Sequence, residues 1–344
     1  MGVQAAVPEG LTIVLIAILG LAVVFDYING FHDTANAIAT SVSTRALRPE
    51  QAIVLSAVAN FVGALTGTAV AKTIGAGLVD EAVVNAADPH QVYVAAALIG
   101  AIAWNLLTWR LGIPSSSSHA LIGGLLGATI AATGLGAVRI DGVTSKVLLP
   151  LVSSPILGLV IGSGFMVLLL NVFQHAHPGP LNARFRRLQV VSASYMALSH
   201  GSNDAQKTMG VMTLALFSAH LIPTFEVPVP IILIAATAMS AGTAVGGWRI
   251  IKTMGQRVVK LDPIRGFAAE TTAATVILGA SHFGMPVSTT HIISTAIMGV
   301  GAVERLSAVR WGVAGNIVVA WILTIPAAAA VASVCYIVLN AAVG

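Results

Sequence analysis

Ten apolar stretches of similar length follow one another along this chain, near 11–29, 51–71, 92–109, 117–135, 147–172, 190–217, 229–247, 266–281, 287–303 and 311–342. Each is close to the roughly 20 residues that carry an α-helix across about 30 Å of hydrocarbon. Nearly all of the charge lies in the connections between them. Only 9% of the 344 residues are charged and 56% are hydrophobic, against about 25% charged in an ordinary soluble domain. A soluble helical protein would need a polar face on each helix, and these runs have none. The 34 glycines and 14 prolines suit close packing and kinks in lipid. A single cysteine, Cys335, leaves neither a disulfide framework nor a cysteine-built metal site. The expected fold class is an all-α polytopic membrane protein of the cell membrane, with the lipid bilayer as its main partner.

Basic residues mark the cytoplasmic side of such a protein. Arg45 and Arg48 place the first connection inside, and Asp80, Glu81 and Asp88 fit an outer connection over 72–91. Arg184, Arg186 and Arg187, then Arg249, Lys252, Arg257, Lys260 and Arg265, then Arg305 and Arg310, mark further inner connections. Both termini are therefore expected outside. The same clustering accounts for the net charge of +4 without a nucleic-acid partner. No Lys or Arg precedes the first run and no small-residue cleavage site follows it, so it reads as a span rather than a cleaved leader.

The chain also repeats itself. Gly30-Phe31-His32-Asp33 matches Gly201-Ser202-Asn203-Asp204 at an offset of 171 (33 to 204). Ile113-Pro114 followed by Ser115, Ser116, Ser117, Ser118 and His119 matches Met285-Pro286 followed by Val287, Ser288, Thr289, Thr290 and His291 at an offset of 172 (119 to 291). Lys72-Thr73-Ile74-Gly75 answers Lys252-Thr253-Met254-Gly255 at an offset of 180 (72 to 252). Five segments per half give the halves opposite orientation. The expected organisation is two inverted repeats, 1–173 and 190–344, joined by a cytoplasmic linker over 174–189. In that plan the substrate site lies where the halves meet, near the membrane midplane.

Two constellations carry chemistry. Asp33 and Asp204 lie on or beside apolar segments, each with a glycine three residues before it. A carboxylate there costs at least about 2.5 kcal/mol on insertion scales, so it needs a partner or a water-filled cavity. Asn36, Asn203 and Gln206 add amide groups that hold a cation or orient an anion. The second constellation is the pair of Pro-Ser/Thr turns. Proline ends one helix and the hydroxyl residues open the next, where free N–H groups and the helix dipole attract an anion. Two helical hairpins carrying Ser/Thr-rich turns follow. Lys207 either neutralises Asp204 or approaches the anion. His119 and His291 are open between proton carriage, pH-sensitive binding and helix packing. His175 and His177 have a metal-like spacing that nothing else supports, and no metal site is expected.

The strings GFHDTANAIAT at 30–40, SHGSNDAQKTMG at 199–210, IPSSSSH at 113–119 and PVSTTH at 286–291 resemble the inorganic phosphate transporter (PiT) family, in its bacterial low-affinity symporter branch. The resemblance covers nearly the whole chain. It implies symport of inorganic phosphate with Na⁺ or H⁺, no other cofactor, and a homodimer. It also implies that Ser115, Ser116, Ser117, Ser118, Ser288, Thr289 and Thr290 face the phosphate, and Gln206 and Lys207 beside them are added as candidate phosphate-binding residues. Asp33, Asn36, Asn203 and Asp204 would serve the coupling ion and substrate, and His32 next to Asp33 is a further candidate there. His32 stands where many members carry asparagine, and Gln206-Lys207 replaces a second Ala-Asn pattern. A titratable ring and a fixed positive charge at these places favour proton coupling.

Other classes are less consistent with these residues. A sulfate permease of the same fold would share most of the signature. Phosphate near pH 7 still carries a proton to donate to a carboxylate, whereas sulfate only accepts. An anion channel has no use for a pair of coupling acids. No Gly-x-Ser-x-Gly elbow and no Walker A string occurs, so neither an esterase-type enzyme nor an ATP-driven pump is expected.

Overall fold

The computed structural model describes residues 9–80, 82–84, 88 and 91–343. The residues before the first run, and part of the outer connection over 72–91, lie outside the described residues. The chain forms helices α1 (Glu9–Ser43), α2 (Pro49–Ala64), α3 (Ala69–Ala76), α4 (Val92–Leu111), α5 (Ser117–Thr133) and α6 (Ile140–Val172). Then follow α7 (Pro178–Ser218), α8 (Val229–Val245), α9 (Trp248–Arg257), α10 (Pro263–His282), α11 (Thr289–Ala302) and α12 (Trp311–Val343). The only strand-like pairing among the described residues is an isolated bridge between Val79 and Val138.

All ten apolar stretches fall on these helices. α1, α4, α5, α6 and α12 are long and apolar enough to cross a membrane, and the bent pairs α2–α3 (73°) and α8–α9 (61°) add two if each counts as one span. α11 has 14 residues, about 21 Å of helix, which is short of a crossing. α7 and α10 carry many buried polar groups. Val152, Ile156 and Val160 on α6, and Ile322, Val334 and Ile337 on α12, are exposed. Such surfaces belong in lipid. The chain is a multi-pass membrane protein.

The element order of the first half recurs in the second: a long helix, a bent pair, a helix–turn–helix, and a last long helix. α6 and α12 even begin and end 171 positions apart (140 to 311, 172 to 343). Packing is reciprocal. α1 lies on α8 while α7 lies on α2, and α12 lies on α5 while α6 lies on α11. Both apolar cores consequently draw on both halves. The span 174–189, expected as a linker, is already helical from Pro178.

Small residues permit the close crossings. A Cβ at Gly30 would lie 2.2 Å from the Met239 carbonyl oxygen, and one at Gly201 would lie 2.2 Å from that of Asn60. These are the glycines three residues before each acid, so backbone contact at those crossings fixes the height of Asp33 and Asp204. Gly201→Val is expected to force α7 and α2 apart, at a cost of about 1–3 kcal/mol or more. A thermal melt of the detergent-solubilised variant checks this, and an unchanged midpoint would exclude it.

Candidate functional site

The two Pro-Ser/Thr turns are built alike. α4 stops where Gly112 takes φ +68°, and α10 is followed by Gly284 at φ +65°. Pro114 and Pro286 cannot continue either helix. Ser116 then caps α5, its side chain accepting from the His119 N–H at 3.2 Å, and Ser288 caps α11 by accepting from the His291 N–H at 3.2 Å. Each helix start thus presents unpaired N–H groups and the positive end of a dipole. The two starts meet. The His119 and His291 rings stand edge to face with centroids 4.7 Å apart, and the Ser118 hydroxyl donates to the Val287 carbonyl at 3.4 Å. Ser115, Ser116, Ser117, Ser118, Ser288, Thr289 and Thr290 are all buried. The Ser117 hydroxyl has no hydrogen-bond partner there.

The acids arrive from the long helices. On α7, the Lys207 ammonium donates to Asp204, to Ser118 of the first turn and, at 3.0 Å, to the Val287 carbonyl of the second. Thr289 donates to the other Asp204 oxygen at 3.1 Å. On α1, Asn36 donates to Thr290 at 2.9 Å and Thr289 at 3.3 Å. Positions 36 and 207 are repeat equivalents, as are 118 and 290, so each half's long helix reaches the turn of the other. Asp33 engages the first turn indirectly. Its Oδ1 lies 2.6 Å from His32 Nδ1, His32 Nε2 lies 3.0 Å from the Thr108 hydroxyl, and Ser115 donates to Thr108 at 2.8 Å.

Other expected residues take neighbouring roles. Asn203 donates to Ser281 at 2.8 Å and to the Met285 carbonyl at 3.3 Å, while its own carbonyl oxygen has no partner. Gln206 turns away from the turns. It accepts from the Val70 N–H at 2.8 Å, holding the start of α3. With Thr66, Ser202, Ser281 and His282 it lines a cleft of about 310 Å³, and Ser281 in turn accepts from Asn203. His291 stacks on Trp321 at 3.9 Å, and the Trp321 indole donates to the Pro114 carbonyl. These contacts give the histidine pair a packing role at the turn.

Three groups here were not singled out from the sequence. His200 places Nε2 3.2 Å from an Asp204 oxygen and Nδ1 3.1 Å from the Asn60 side-chain oxygen. It occupies the repeat position of Asn29, and that register was the signal available. Thr108 completes the Asp33 chain. Glu270 is fully buried and accepts from Thr40, Gln189 at 3.1 Å, and Ser192, tying α10 to α1 and α7. A lone acid inside the 266–281 run was its signal. Asp33, His200 and Asp204 each bring one ligand atom within 4.8 Å of the others. The Lys207 ammonium already sits on Asp204, so an added metal cation there meets a like charge.

Taken together, the site offers hydroxyls, two helix starts and a lysine, groups suited to an oxyanion, beside two carboxylates. A profile described as "Phosphate transporter family" matches residues 29–332. The chain is 47% identical over 331 residues to a probable low-affinity inorganic phosphate transporter of Bacillus subtilis, covering 96% of this chain and 98% of that protein. It is 48% identical over 324 residues to a protein of the same description from Rhizobium meliloti, covering 94% and 95%. A solved structure, described as "The sodium-dependent phosphate transporter", is similar with a TM-score of 0.88 at 26% identity, covering 95% of this chain and 99% of that one.

Proposed function

Because the chain belongs to the phosphate transporter family, we propose that it imports inorganic phosphate across the cell membrane by proton symport, with alternating access between two inverted halves. It is a transporter and not an enzyme. The observation that carries the substrate reading is the Lys207 ammonium, held at once by Asp204, by Ser118 of one turn and by the Val287 carbonyl of the other. A phosphate between the turns would take hydrogen bonds from Ser115 to Ser118 and from Ser288 to Thr290, and charge from Lys207. Its remaining proton would go to Asp33 or Asp204, which sulfate cannot supply.

Reciprocal packing supports alternating access. Each hairpin belongs to one core and each long helix reaches the opposite turn, so movement of one core against the other would open the site on one side and close it on the other. Proton coupling is favoured over sodium by Lys207, which places a fixed positive charge where the equivalent first-half position has the neutral Asn36. Sodium coupling is the second reading, favoured by the oxygen atoms of Asp33, Asn36, Asn203 and Asp204 and by the sodium dependence of the solved relative.

Purified protein in vesicles decides between them. An inward proton gradient is expected to drive labelled phosphate accumulation at zero sodium, excess arsenate to compete, and excess sulfate to compete poorly. Accumulation that follows a sodium gradient and ignores pH would overturn the proton reading. Competition by sulfate equal to that by arsenate would overturn the substrate.

A further inference from the structure

We propose that Asp26 is the residue that binds the coupling proton. The inference rests on the proton-symport reading above and goes beyond it by assigning a site. Asp26 lies on α1 inside the span Ile13–Ser43, with no exposed surface. Neither carboxyl oxygen has a hydrogen-bond partner. Among the described residues, none of the ion pairs involves it. An ionised carboxylate in that state is costly in lipid-embedded protein, so the group takes up a proton or a cation.

Its immediate neighbours offer oxygen and no paired counter-charge. Asn29, one turn on, and Thr208 on α7 stand beside it without closing a hydrogen bond of normal geometry. The Asn29 side-chain oxygen and the Thr208 hydroxyl are themselves unpartnered and buried. α8, packed on the same stretch of α1 through Gly242 and the Tyr27 carbonyl, carries no titratable side chain. α4 has only Tyr93 and Arg110, near its two ends. The charged side chains of α7 nearest this stretch, Asp204 and Lys207, are engaged with each other. On its own helix, His32 and Asp33 follow about two turns later and are engaged with each other.

This placement links the proton to the substrate. Thr208 follows Lys207 directly, so an anion arriving beside the ammonium adds negative charge near Asp26 and raises its affinity for a proton. By reciprocity, a proton on Asp26 strengthens binding of the anion. The second half holds Ala197 at the equivalent position (26 to 197), so the repeat does not duplicate the site. Nothing else in the proposed transport cycle uses this carboxyl.

The test uses the full-length protein in vesicles. Wild type is first shown to accumulate phosphate down a proton gradient. Asp26→Asn is then expected to lose the gradient-driven component while phosphate-for-phosphate exchange persists. In infrared difference spectra, a protonated-carboxyl carbonyl band that responds to phosphate in wild type is expected to be missing from the variant. If wild type ignores the proton gradient, the proposed coupling fails. If wild type is proton-driven and Asp26→Asn is too, with the band intact, that reading stands and Asp26 is excluded. Should Asp26→Asn not insert, Asp26→Glu decides, since a shifted band supports the assignment and an unmoved band overturns it.

Discussion

Lys207→Met is expected to reduce phosphate uptake by at least a hundredfold while leaving a full-length protein in the membrane. Methionine keeps most of the side-chain volume and removes the charge. Three acceptors then lose their donor at once: an Asp204 oxygen, Ser118 and the Val287 carbonyl. Removing one member of a buried pair strands the other, at a cost of about 3–5 kcal/mol of stability, and an anion arriving at the site no longer meets the ammonium's charge. Asp204→Asn alone strands the ammonium instead and is expected to be comparably severe. The double variant Lys207→Met/Asp204→Asn leaves no unpaired charge, so its thermal midpoint should recover toward wild type while uptake stays lost. This pattern separates a stabilising ion pair from a transport role, because coupling in a double-mutant cycle appears in stability and not in uptake. Wild-type-like uptake by Lys207→Met would remove the lysine from the site.

How much of this arrangement could be read in advance varied with distance along the chain. The turns were legible because proline, glycine and a run of hydroxyl residues specify a helix stop and a cap within about six positions, and the repeat showed them twice. The structure adds that Gly112 and Gly284 both take the left-handed backbone at the stop. The repeat offset also implied that positions 36 and 207 are equivalent, although not that each reaches the opposite turn. Contacts such as His32 with Thr108, or His200 with Asn60, join residues 76 and 140 positions apart, and no local pattern encodes them. Helix lengths were misjudged for a related reason. The polar string 30–40 looks like the end of the first span, yet α1 continues to Ser43, because those polar groups are satisfied by other buried side chains. Likewise the 51–71 stretch reads as one largely apolar run but breaks between α2 and α3 with a 73° bend. Hydropathy registers where a segment is greasy, not where its backbone turns.

Asp33→Asn is expected to abolish concentrative uptake while preserving insertion and a near-wild-type melt. Its effect should differ from that of Asp204, because Asp33 bonds to no turn residue directly. It holds His32 at 2.6 Å, His32 holds Thr108 at 3.0 Å, and Thr108 accepts from Ser115 at 2.8 Å. Asparagine retains an oxygen for the ring but not the charge, so the relay keeps its shape and loses the carboxylate. If Asp33 acts by positioning Ser115 through the ring, His32→Gln should reproduce the defect in apparent phosphate affinity, and Ser115→Ala should add nothing to Asp33→Asn. If Asp33 instead takes a proton from the phosphate itself, His32→Gln should leave affinity intact while Asp33→Asn does not. Phosphate titrations of uptake rate in vesicles distinguish the two. Transport at the wild-type level by inserted Asp33→Asn would exclude the first-half acid from the mechanism altogether, and with it the idea that both repeat-related carboxylates serve one anion.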